Sequence, residues 1–345
     1  MPSPATLTVD LDALAHNFHA LEAVSGAPVH PVVKADAYGL GAVACATRLM
    51  AEGARTFFVA RLGGGQTLRA ALGPEPHIYI LDGCIGDAAP ALIAADLRPV
   101  INHPGQLQAW RAAGGGTCGI QIDTGMNRLG FRSEDAPEPF AGLDLVLSHL
   151  ACADDPSAEM NRRQRDAFEI AAQRFPGAAR SFANSGGCFL GRDYAFDAVR
   201  PGICLYGGGP EGRPDDRIRA VATLAAEVLQ VRDVPPGESV GYSRGYVAET
   251  PRRIATCAAG YADGVMRSYS PRGQVFVGGM IRPIVGRISM DVCAVDVTGL
   301  DVAVGDPVEL FGPNRLIDDA AAAAGTISYE LLTSITARVP RVYVG

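Results

Sequence analysis

Short apolar runs alternate with helix-like stretches over the first 216 residues. The eight runs lie at 29–34, 57–62, 77–81, 97–101, 118–123, 143–149, 181–185 and 197–206. Most are separated by segments whose apolar residues recur at intervals of three and four, which is the spacing of an amphipathic helix. Buried parallel strands read as continuous apolar runs, and eight of them joined by helices predict an α/β fold of the (β/α)8 TIM-like barrel type. A count of six or seven would instead favour a doubly wound sheet.

The pattern changes after residue 216. The remaining apolar segments are short, rich in β-branched residues and separated by turns built from Gly, Pro and Asp. One helix is predicted late in this region, at 327–335, where the sequence reads ISYELLTSI. We therefore expect a barrel domain at 1–216 followed by a mainly β domain at 217–345.

Composition and charge narrow the class of protein. The 345 residues are 48% hydrophobic and 19% charged, which is typical of a globular enzyme. A net charge of −7 and the absence of a Lys/Arg block argue against a nucleic-acid partner. The basic stretch NRRQR at 161–165 lies between acidic residues on a predicted helix, and we interpret it as a solvated face.

No sequence feature indicates a membrane or secreted protein. No apolar run approaches the roughly 18 residues that a spanning helix needs, and the N-terminus lacks a basic leader and an apolar core. The eight cysteines form no CxxC pair and have no zinc-finger spacing to histidine. We expect buried, reduced thiols, no metal site and a cytoplasmic protein.

Polar residues stand where the predicted barrel strands end. In a barrel of this type the catalytic groups lie at the C-terminal ends of the strands, so these residues are expected to converge on one mouth. They are Lys34, Arg128, His149, Asn184, Ser185 and Arg200, and the backbone of Gly202 and Ile203 lies with them.

Lys34 is the only lysine in the chain, although Lys and Arg together number 30. Unlike a guanidinium, an amine can lose its proton in an apolar pocket and act as a nucleophile or base. A chance survivor of an arginine-rich composition is the alternative. The chemistry of an amine here is covalent attachment of a carbonyl substrate or of pyridoxal phosphate. The hydroxyls of Tyr38 and Ser185 and the amides of Gly202 and Ile203 favour the cofactor, because they could bind its phosphate.

Nine motifs follow one another along the chain. They are VVKADAYGLG, IDTGMNRLG, SHLACAD, FANSGG, VRPGICLYG, ESVGYSRGY, AAGYADG, VGRISMD and RVPRVY. The sequence resembles alanine racemases in these motifs, over nearly its whole length. The resemblance implies a pyridoxal-phosphate enzyme that racemises alanine to supply D-alanine for peptidoglycan. It also implies a homodimer in which the β-domain of one subunit closes the barrel mouth of the other.

The resemblance assigns roles to residues of both predicted domains. Lys34 would hold the cofactor, and Tyr242 would be the second acid/base group. His149 would pack beside the cofactor, hydrogen-bond Tyr242 and be linked to Arg200, which would face the pyridine nitrogen. The substrate carboxylate would bind Arg128 and the backbone of Met290. The entrance would be formed by Tyr261, with Asp154, Arg267, Arg287 and Asp291 further out.

Two positions depart from the family pattern. Gln121 stands where relatives commonly have a lysine, often carbamylated, that orients the substrate arginine. We therefore expect weaker fixation of Arg128, or a bound anion in place of the carbamate. Ala337 stands where many relatives have a tyrosine, so one phosphate contact is absent.

Three other functions stay open on the sequence alone. They are a racemase of broader specificity that also accepts serine, a non-catalytic pyridoxal-phosphate carrier and a barrel decarboxylase. A carrier generally lacks the β-domain, and a decarboxylase would pair the ring nitrogen with an acid rather than with Arg200.

Overall fold

The computed structural model describes residues 3–345, which form two compact units. The first unit is Ala15–Leu205, and the second combines residues 3–14 with Tyr206–Gly345. The predicted limits of 1–216 and 217–345 differ from these units at the N-terminus, where residues 3–14 belong to the second unit, and at the internal boundary, which lies between Leu205 and Tyr206. Residues 1 and 2 lie outside the described part.

The first unit contains a parallel sheet that closes into a ring. Six of its strands pair in sequence order. They are β2 (Thr56–Val59), β3 (His77–Ile80), β4 (Arg98–Ile101), β5 (Cys118–Gln121), β6 (Leu143–Leu147) and β7 (Ala179–Ser181). Parallel bridges join Val32 to Phe58, Ser181 to Ala198 and Val29 to Val199. The segments around residues 29–33 and 197–200 therefore complete eight strands, and the predicted TIM-like barrel is confirmed.

Helices alternate with these strands. They are Leu11–Ser25, Ala42–Ala51, Leu62–Leu72, Ala89–Ala94, Pro104–Ala112 and Glu159–Ala172, with 3-10 turns at Ser133–Asp135, Gly186–Phe189, Arg192–Tyr194 and Ile203–Tyr206. In the helix Glu159–Ala172 the buried positions include Asn161, Gln164, Phe168 and Ala171, so apolar and amide side chains share one face. No helix within residues 3–345 combines the length and the apolar character needed to cross a membrane.

The interior of the barrel is apolar and aromatic. It is filled by Val32, Phe58, Tyr79, Val100, Leu145 and Leu147. The rings of Phe58 and Tyr79 stack with their centroids 5.1 Å apart. The hydroxyl of Tyr79 donates to Asp144 at 2.6 Å, near the N-terminal ends of the strands. Apolar side chains therefore fill the barrel interior, and a polar contact lies near the N-terminal strand ends.

The second unit is mainly antiparallel β, as predicted. Its main sheet has the order β11-β14-β13-β12-β15-β8-β1-β16, and β9 and β10 form a separate pair. The strands are β1 (Ala5–Asp10), β8 (Ala222–Val234), β9 (Ser239–Val240), β10 (Tyr246–Val247), β11 (Arg252–Cys257), β12 (Gln274–Val277), β13 (Met280–Val285), β14 (Cys293–Asp296), β15 (Pro307–Phe311) and β16 (Arg341–Val344). The predicted late helix is present at Ser328–Ser334, and a further helix at Ile317–Ala324 was not predicted. Two 3-10 turns, Tyr242–Arg244 and Arg267–Tyr269, lie between the strands.

Strand β1 is the part of the N-terminal region that joins the second unit. It pairs antiparallel with β8 and parallel with β16. Ala5, Leu7 and Val9 are buried and alternate with partly exposed residues, which is the pattern of a strand with one covered face. This alternation places β1 in the second unit, although it precedes the whole barrel in the sequence.

All eight cysteines are free thiols, and all except Cys152 are buried. Burial raises the pKa of Cys45, Cys118 and Cys188 to about 12. Such thiols are protonated at neutral pH and unreactive, which agrees with the expectation of buried, reduced cysteines.

Candidate active site

Lys34 follows the first barrel segment and lies at the C-terminal mouth. The amide of Val33 donates to the carbonyl of Phe58 at 2.9 Å, and the amide of Val32 donates to the carbonyl of Pro201 at 3.0 Å. Burial lowers the pKa of Lys34, and the charge of Arg128 lowers it further against the opposing effect of Asp82. A larger fraction of the amine is therefore neutral, which is the form that acts as a nucleophile or base.

The backbone directly after Lys34 is left-handed. Four consecutive non-glycine residues, Ala35 to Tyr38, have φ between 51° and 57°. This conformation costs about 1–2 kcal/mol for each L-residue. The turn is held by the carboxylate of Asp36, which accepts from the amide of Ala42 at 2.7 Å, and by the amide of Gly41, which donates to the carbonyl of Asp36 at 2.9 Å. It directs the side chain of Tyr38 into the interior, where it is buried.

Tyr38, Ser185 and Gly202 meet at one point. A Cβ atom on Gly202 would lie 2.0 Å from the hydroxyl oxygen of Tyr38, so the phenol approaches the bare backbone. The amide of Gly202 donates to the hydroxyl of Ser185 at 2.9 Å, and the amide of Cys204 does so at 3.2 Å. Both amides use the oxygen of Ser185, which leaves its proton free to be donated. Ile203, next to Gly202, begins a buried 3-10 turn.

Asn184 shapes the loop beside this point. Its Oδ1 accepts from the amide of Gly187 at 3.0 Å, and its Nδ2 donates to the carbonyl of Leu150 at 3.3 Å. Asn184 therefore ties the loop after β7 to the loop after β6.

Arg200 is buried without a carboxylate partner among residues 3–345. Its Nη1 donates to the hydroxyl of Ser181 at 2.6 Å, its Nη2 donates to the carbonyl of Ser148, and its guanidinium lies 5.8 Å from the centre of the Phe58 ring. Burial lowers the pKa of Arg200 to about 9, which leaves the group charged at neutral pH.

His149 is neutral in this environment. Burial lowers its pKa to about 3, and the charges of Arg200, Arg128 and Lys34 act in the same direction. The expected hydrogen bond between His149 and Arg200 is absent from the described contacts, because Arg200 is occupied by Ser181 and the carbonyl of Ser148. The two residues are instead linked through the backbone, since Ser148 immediately precedes His149.

Arg128 is carried by a loop whose backbone is held by two polar side chains. One carboxylate oxygen of Asp123 accepts from three successive amides, those of residues 125, 126 and 127, at 2.9–3.1 Å. Gln121 is buried, and its Nε2 donates to the carbonyl of Leu129 at 2.8 Å. Gln121 thus holds the loop, whereas the exposed Arg128 side chain has no hydrogen bond or ion pair to any residue in 3–345.

The mouth of the first unit has an excess of positive charge. Lys34, Arg128 and Arg200 all lower the pKa of His149, and none of the three forms an ion pair within residues 3–345. Only Asp82 opposes them at Lys34. Unpaired cations beside the hydroxyls of Tyr38 and Ser185 suit an anionic ligand with a phosphate group. The residues present therefore fit pyridoxal phosphate.

Apart from Asp154, the remaining predicted site residues belong to the second unit, and they are exposed. Tyr242 is 67% exposed and begins the turn Tyr242–Arg244. The neighbouring Arg287 donates from Nη1 to the hydroxyl of Ser243 at 3.2 Å. The amide of Tyr261 donates to the carbonyl of Ser289 at 3.1 Å, and the next amide donates to the carbonyl of Met290 at 2.9 Å. Tyr261 and Met290 are therefore carried by two segments that are joined through their backbones.

An ion-pair network fixes the outer edge of these segments. Arg338 contacts Asp263 through Nε and Asp291 through Nη1, both at 2.9 Å. Ala337 precedes Arg338 and is exposed. Arg267, in the second unit, and Asp154, in the first, are also exposed.

Comparison with known proteins agrees with this geometry. The N-terminal domain family of alanine racemases matches residues 9–210, and the C-terminal domain family matches residues 221–343. The chain belongs to the alanine racemase family.

Relatives and solved structures of the family match the chain over almost its whole length. The alanine racemase of Rhizobium meliloti is 45% identical, covering 100% of this chain and 98% of the relative. The biosynthetic alanine racemase of Agrobacterium fabrum is 41% identical, covering 99% of this chain and 94% of the relative. The crystal structure of alanine racemase from Bartonella henselae with covalently bound pyridoxal phosphate is 38% identical, has a TM-score of 0.93, and covers 99% of this chain and 100% of that one.

Sequence reasoning missed several residues of this candidate site. Phe58 and Ser181 contact Arg200, and Asp82 acts on Lys34. Asn161 and Gln164 were placed on a solvated face but are buried, whereas Arg162 and Arg163 are exposed as predicted. The spacing of Gln164 from Phe168, one helical turn, was a signal that both face inwards.

Proposed function

We infer that the protein is an alanine racemase, a pyridoxal-phosphate-dependent isomerase that interconverts L-alanine and D-alanine. Family membership over both domains supports this inference, and so does the likeness to the Bartonella henselae enzyme. The single observation that carries it is the position of Lys34. The only lysine of the chain is a desolvated amine at the barrel mouth, among unpaired cations and hydroxyls suited to a phosphate.

Pyridoxal phosphate, when bound, delocalises the electron pair that remains on the substrate Cα after its proton leaves. We assign its covalent attachment to Lys34. The phosphate is assigned to Tyr38, Ser185, Gly202 and Ile203, beside the loop shaped by Asn184.

His149 is assigned to the cofactor ring and Arg200 to its pyridine nitrogen. A charged guanidinium accepts no proton, so Arg200 donates to that nitrogen and leaves it unprotonated. Arg200 would thereby make the bound cofactor a weaker electron sink, which would limit transamination as a side reaction. Supporting this assignment, Arg200 has no carboxylate partner among the described residues; an acidic group beside the nitrogen would indicate a different reaction class.

Racemisation needs one acid/base group on each side of Cα, because a proton leaves from one face and another arrives at the opposite face. We assign these roles to Lys34 and Tyr242. A free tyrosine has a pKa of about 10, so Tyr242 needs a neighbour that stabilises its phenolate. The neutral imidazole of His149 is suited to that task as a hydrogen-bond donor.

The substrate carboxylate is assigned to Arg128 and to the backbone at Met290. With Arg128 unpaired, its fixation relies on the loop built by Asp123 and Gln121, with a bound anion as an additional aid. The exposure of Tyr242, Tyr261 and Met290 leaves them available to a second subunit. We therefore propose a homodimer in which these residues complete the site around the partner's cofactor. The entrance is assigned to Tyr261, and its outer part to Asp154, Arg267, Arg287 and Asp291.

In the cell we propose a cytoplasmic enzyme that supplies D-alanine for peptidoglycan. The test is incubation of the purified protein with pyridoxal phosphate and L-alanine, followed by chiral analysis of the product. Equal amounts of the two enantiomers at equilibrium are expected. L-serine and L-lysine, assayed in parallel, distinguish a broad racemase from one specific for alanine. A protein that binds the cofactor and leaves L-alanine unchanged would overturn the proposal.

A dilution series tests the shared site. Activity per subunit should fall as the dimer dissociates, as followed by light scattering. Monomers with full activity would contradict the proposed dimer.

A further inference from the structure

Gln164 is a fully buried polar residue on the outer helix Glu159–Ala172. It lies one turn before Phe168 on the face that packs against the barrel, while Arg162 and Arg163 point to solvent. A buried amide is favourable only if its donors and acceptor are satisfied. The hydrogen-bond partners of Gln164 therefore show which parts of the barrel its side chain holds together.

The side chain of Gln164 joins two loops of the barrel mouth. Its Nε2 donates to the carbonyl of His149 at 3.0 Å and to the hydroxyl of Thr124 at 3.2 Å. Its Oε1 accepts from the amide of Ala151 at 2.9 Å. His149 and Ala151 belong to the loop after β6, and Thr124 belongs to the loop after β5 that carries Arg128. One amide thus fixes the spacing between the two loops.

The network continues from Thr124 to Arg200. The hydroxyls of Thr124 and Ser148 are 2.9 Å apart, and the carbonyl of Ser148 accepts from Arg200. A continuous chain of polar contacts therefore runs from Gln164 to Arg200 and passes both the backbone of His149 and the base of the Arg128 loop. A displacement of about 1 Å in such a network is large enough to change catalysis by orders of magnitude.

We propose that Gln164 is a positioning residue, which holds the His149 loop and the Arg128 loop in register so that cofactor and substrate are bound at the correct separation. The proposal rests on the function proposed above, because it needs the roles of His149 and Arg128. Gln164 itself touches neither ligand and acts through these two residues.

The chain contains a matched control for this role. Gln106, on the helix Pro104–Ala112, is also a buried glutamine that joins two loops at the barrel mouth. Its Oε1 accepts from the amide of Asn102 at 2.8 Å, and its Nε2 donates to the carbonyl of Asp82 at 2.9 Å. These loops follow β4 and β3. The loop after β3 includes Asp82, whose charge acts on Lys34, but Gln106 bonds only its backbone carbonyl, and neither loop carries an assigned contact to cofactor or substrate.

The test compares Gln164→Met with Gln106→Met, which keep the side-chain volume and remove the hydrogen bonds. Both variants should melt at lower temperature, because each leaves buried backbone groups unpaired. Gln164→Met should raise the KM for L-alanine and the dissociation constant of pyridoxal phosphate about tenfold each, the effect of losing one or two such bonds. Gln106→Met should leave both constants within about twofold.

A second variant covers the case in which Gln164→Met does not fold. Thr124→Val removes only the hydroxyl that links the loops, and it should reproduce part of the rise in both constants, whereas Thr124→Ser should restore them. Equal changes in KM and in the cofactor dissociation constant for Gln164→Met and Gln106→Met would show that Gln164 is only a packing residue.

Hydrogen exchange separates this proposal from the proposed function. In Gln164→Met the amide of Ala151 and the peptide 123–131 should exchange faster than in the unchanged protein, and in Gln106→Met they should not. This result is expected whether or not the protein racemises alanine. Unchanged exchange in Gln164→Met overturns the positioning role, while a lack of D-alanine formation by the unchanged protein overturns the function alone.

Discussion

Buried Arg200 donates a hydrogen bond from Nη1 to the hydroxyl of Ser181 at 2.6 Å. That hydroxyl donates its own proton to the carbonyl of Ala198 at 2.7 Å. Because Ser181 has only one proton, the oxygen that faces Arg200 is fixed as an acceptor. A buried guanidinium without a carboxylate partner therefore has its orientation set by a neutral hydroxyl and a carbonyl.

Ser181→Ala should weaken both the fold and the cofactor site. It leaves an N–H group of a buried cation without a partner, which costs about 1–3 kcal/mol in the free energy of unfolding. Arg200 also loses its fixed orientation, so the absorption maximum of the bound cofactor should shift and kcat should fall. Ser25→Ala is the control, since Ser25 is a buried serine that donates to the carbonyl of Leu21 at 2.7 Å. A similar loss of stability in both variants, with no spectral change in Ser181→Ala, would argue against the proposed role of Arg200.

Gly202→Ala should impair cofactor binding through a steric clash. The added methyl group would lie 2.0 Å from the hydroxyl of Tyr38 and 2.8 Å from its ring carbon Cζ. We expect the dissociation constant of pyridoxal phosphate to rise at least tenfold, measured by titration of the cofactor-free protein. The double variant Tyr38→Phe, Gly202→Ala lacks the hydroxyl and so relieves the closest contact. Its affinity for the cofactor should therefore be higher than the sum of the two single-variant losses predicts.

Gly116→Ala is the control for that comparison, because nothing lies within 4 Å of the position where its Cβ would be. Its cofactor affinity should equal that of the unchanged protein. If Gly202→Ala also binds the cofactor normally, the meeting point of Tyr38, Ser185 and Gly202 is not the phosphate site.

The barrel was predictable because eight apolar runs are a direct consequence of burying parallel strands on both faces. The position of Lys34 at the barrel mouth was predictable for a different reason, since the only lysine of the chain directly follows an apolar run. The left-handed turn from Ala35 to Tyr38 was not predictable, because alanine and tyrosine disfavour this conformation and aspartate adopts it only occasionally, as a single residue. The turn is stabilised by its own backbone hydrogen bonds, by the carboxylate of Asp36 and by the burial of Tyr38.

The misplaced elements share one physical cause, which is that their partners are distant in sequence. Strand β1 pairs with strands more than 200 residues away. Gln164 is satisfied by groups 13 to 40 residues away. A polar residue on a helix is exposed by default, and only these specific partners make its burial favourable.

Stability should fall in mild acid because of His149. Its folded pKa of about 3 lies below the ordinary value of 6.5, so between these values the unfolded chain binds a proton that the folded chain does not. The free energy of unfolding therefore decreases as the pH falls through this window. His149→Gln should show a smaller loss of stability between pH 7.5 and 5.5, measured by urea unfolding of the cofactor-free protein.

The unchanged protein is the reference for this comparison. His30 has a pKa lowered to about 4, mainly by burial, so it also lowers the free energy of unfolding in acid, with the same sign in both proteins. An identical slope in His149→Gln and in the unchanged protein would mean that His149 is not held neutral by its burial and by the charges of Arg200, Arg128 and Lys34.

Lys34→Arg should remove the covalently bound cofactor and the activity together. The variant contains no lysine, so borohydride treatment should leave no cofactor adduct on the peptide that carries position 34, as read by mass spectrometry. Tyr242→Phe should keep the absorption band of the bound cofactor and mainly slow turnover from L-alanine, because only one of the two acid/base groups is lost. Tyr246→Phe, a change of the same kind four residues further on, should leave turnover near normal. An active, coloured Lys34→Arg protein would refute the assignment, since a guanidinium stays protonated at neutral pH and cannot replace the amine as nucleophile or base.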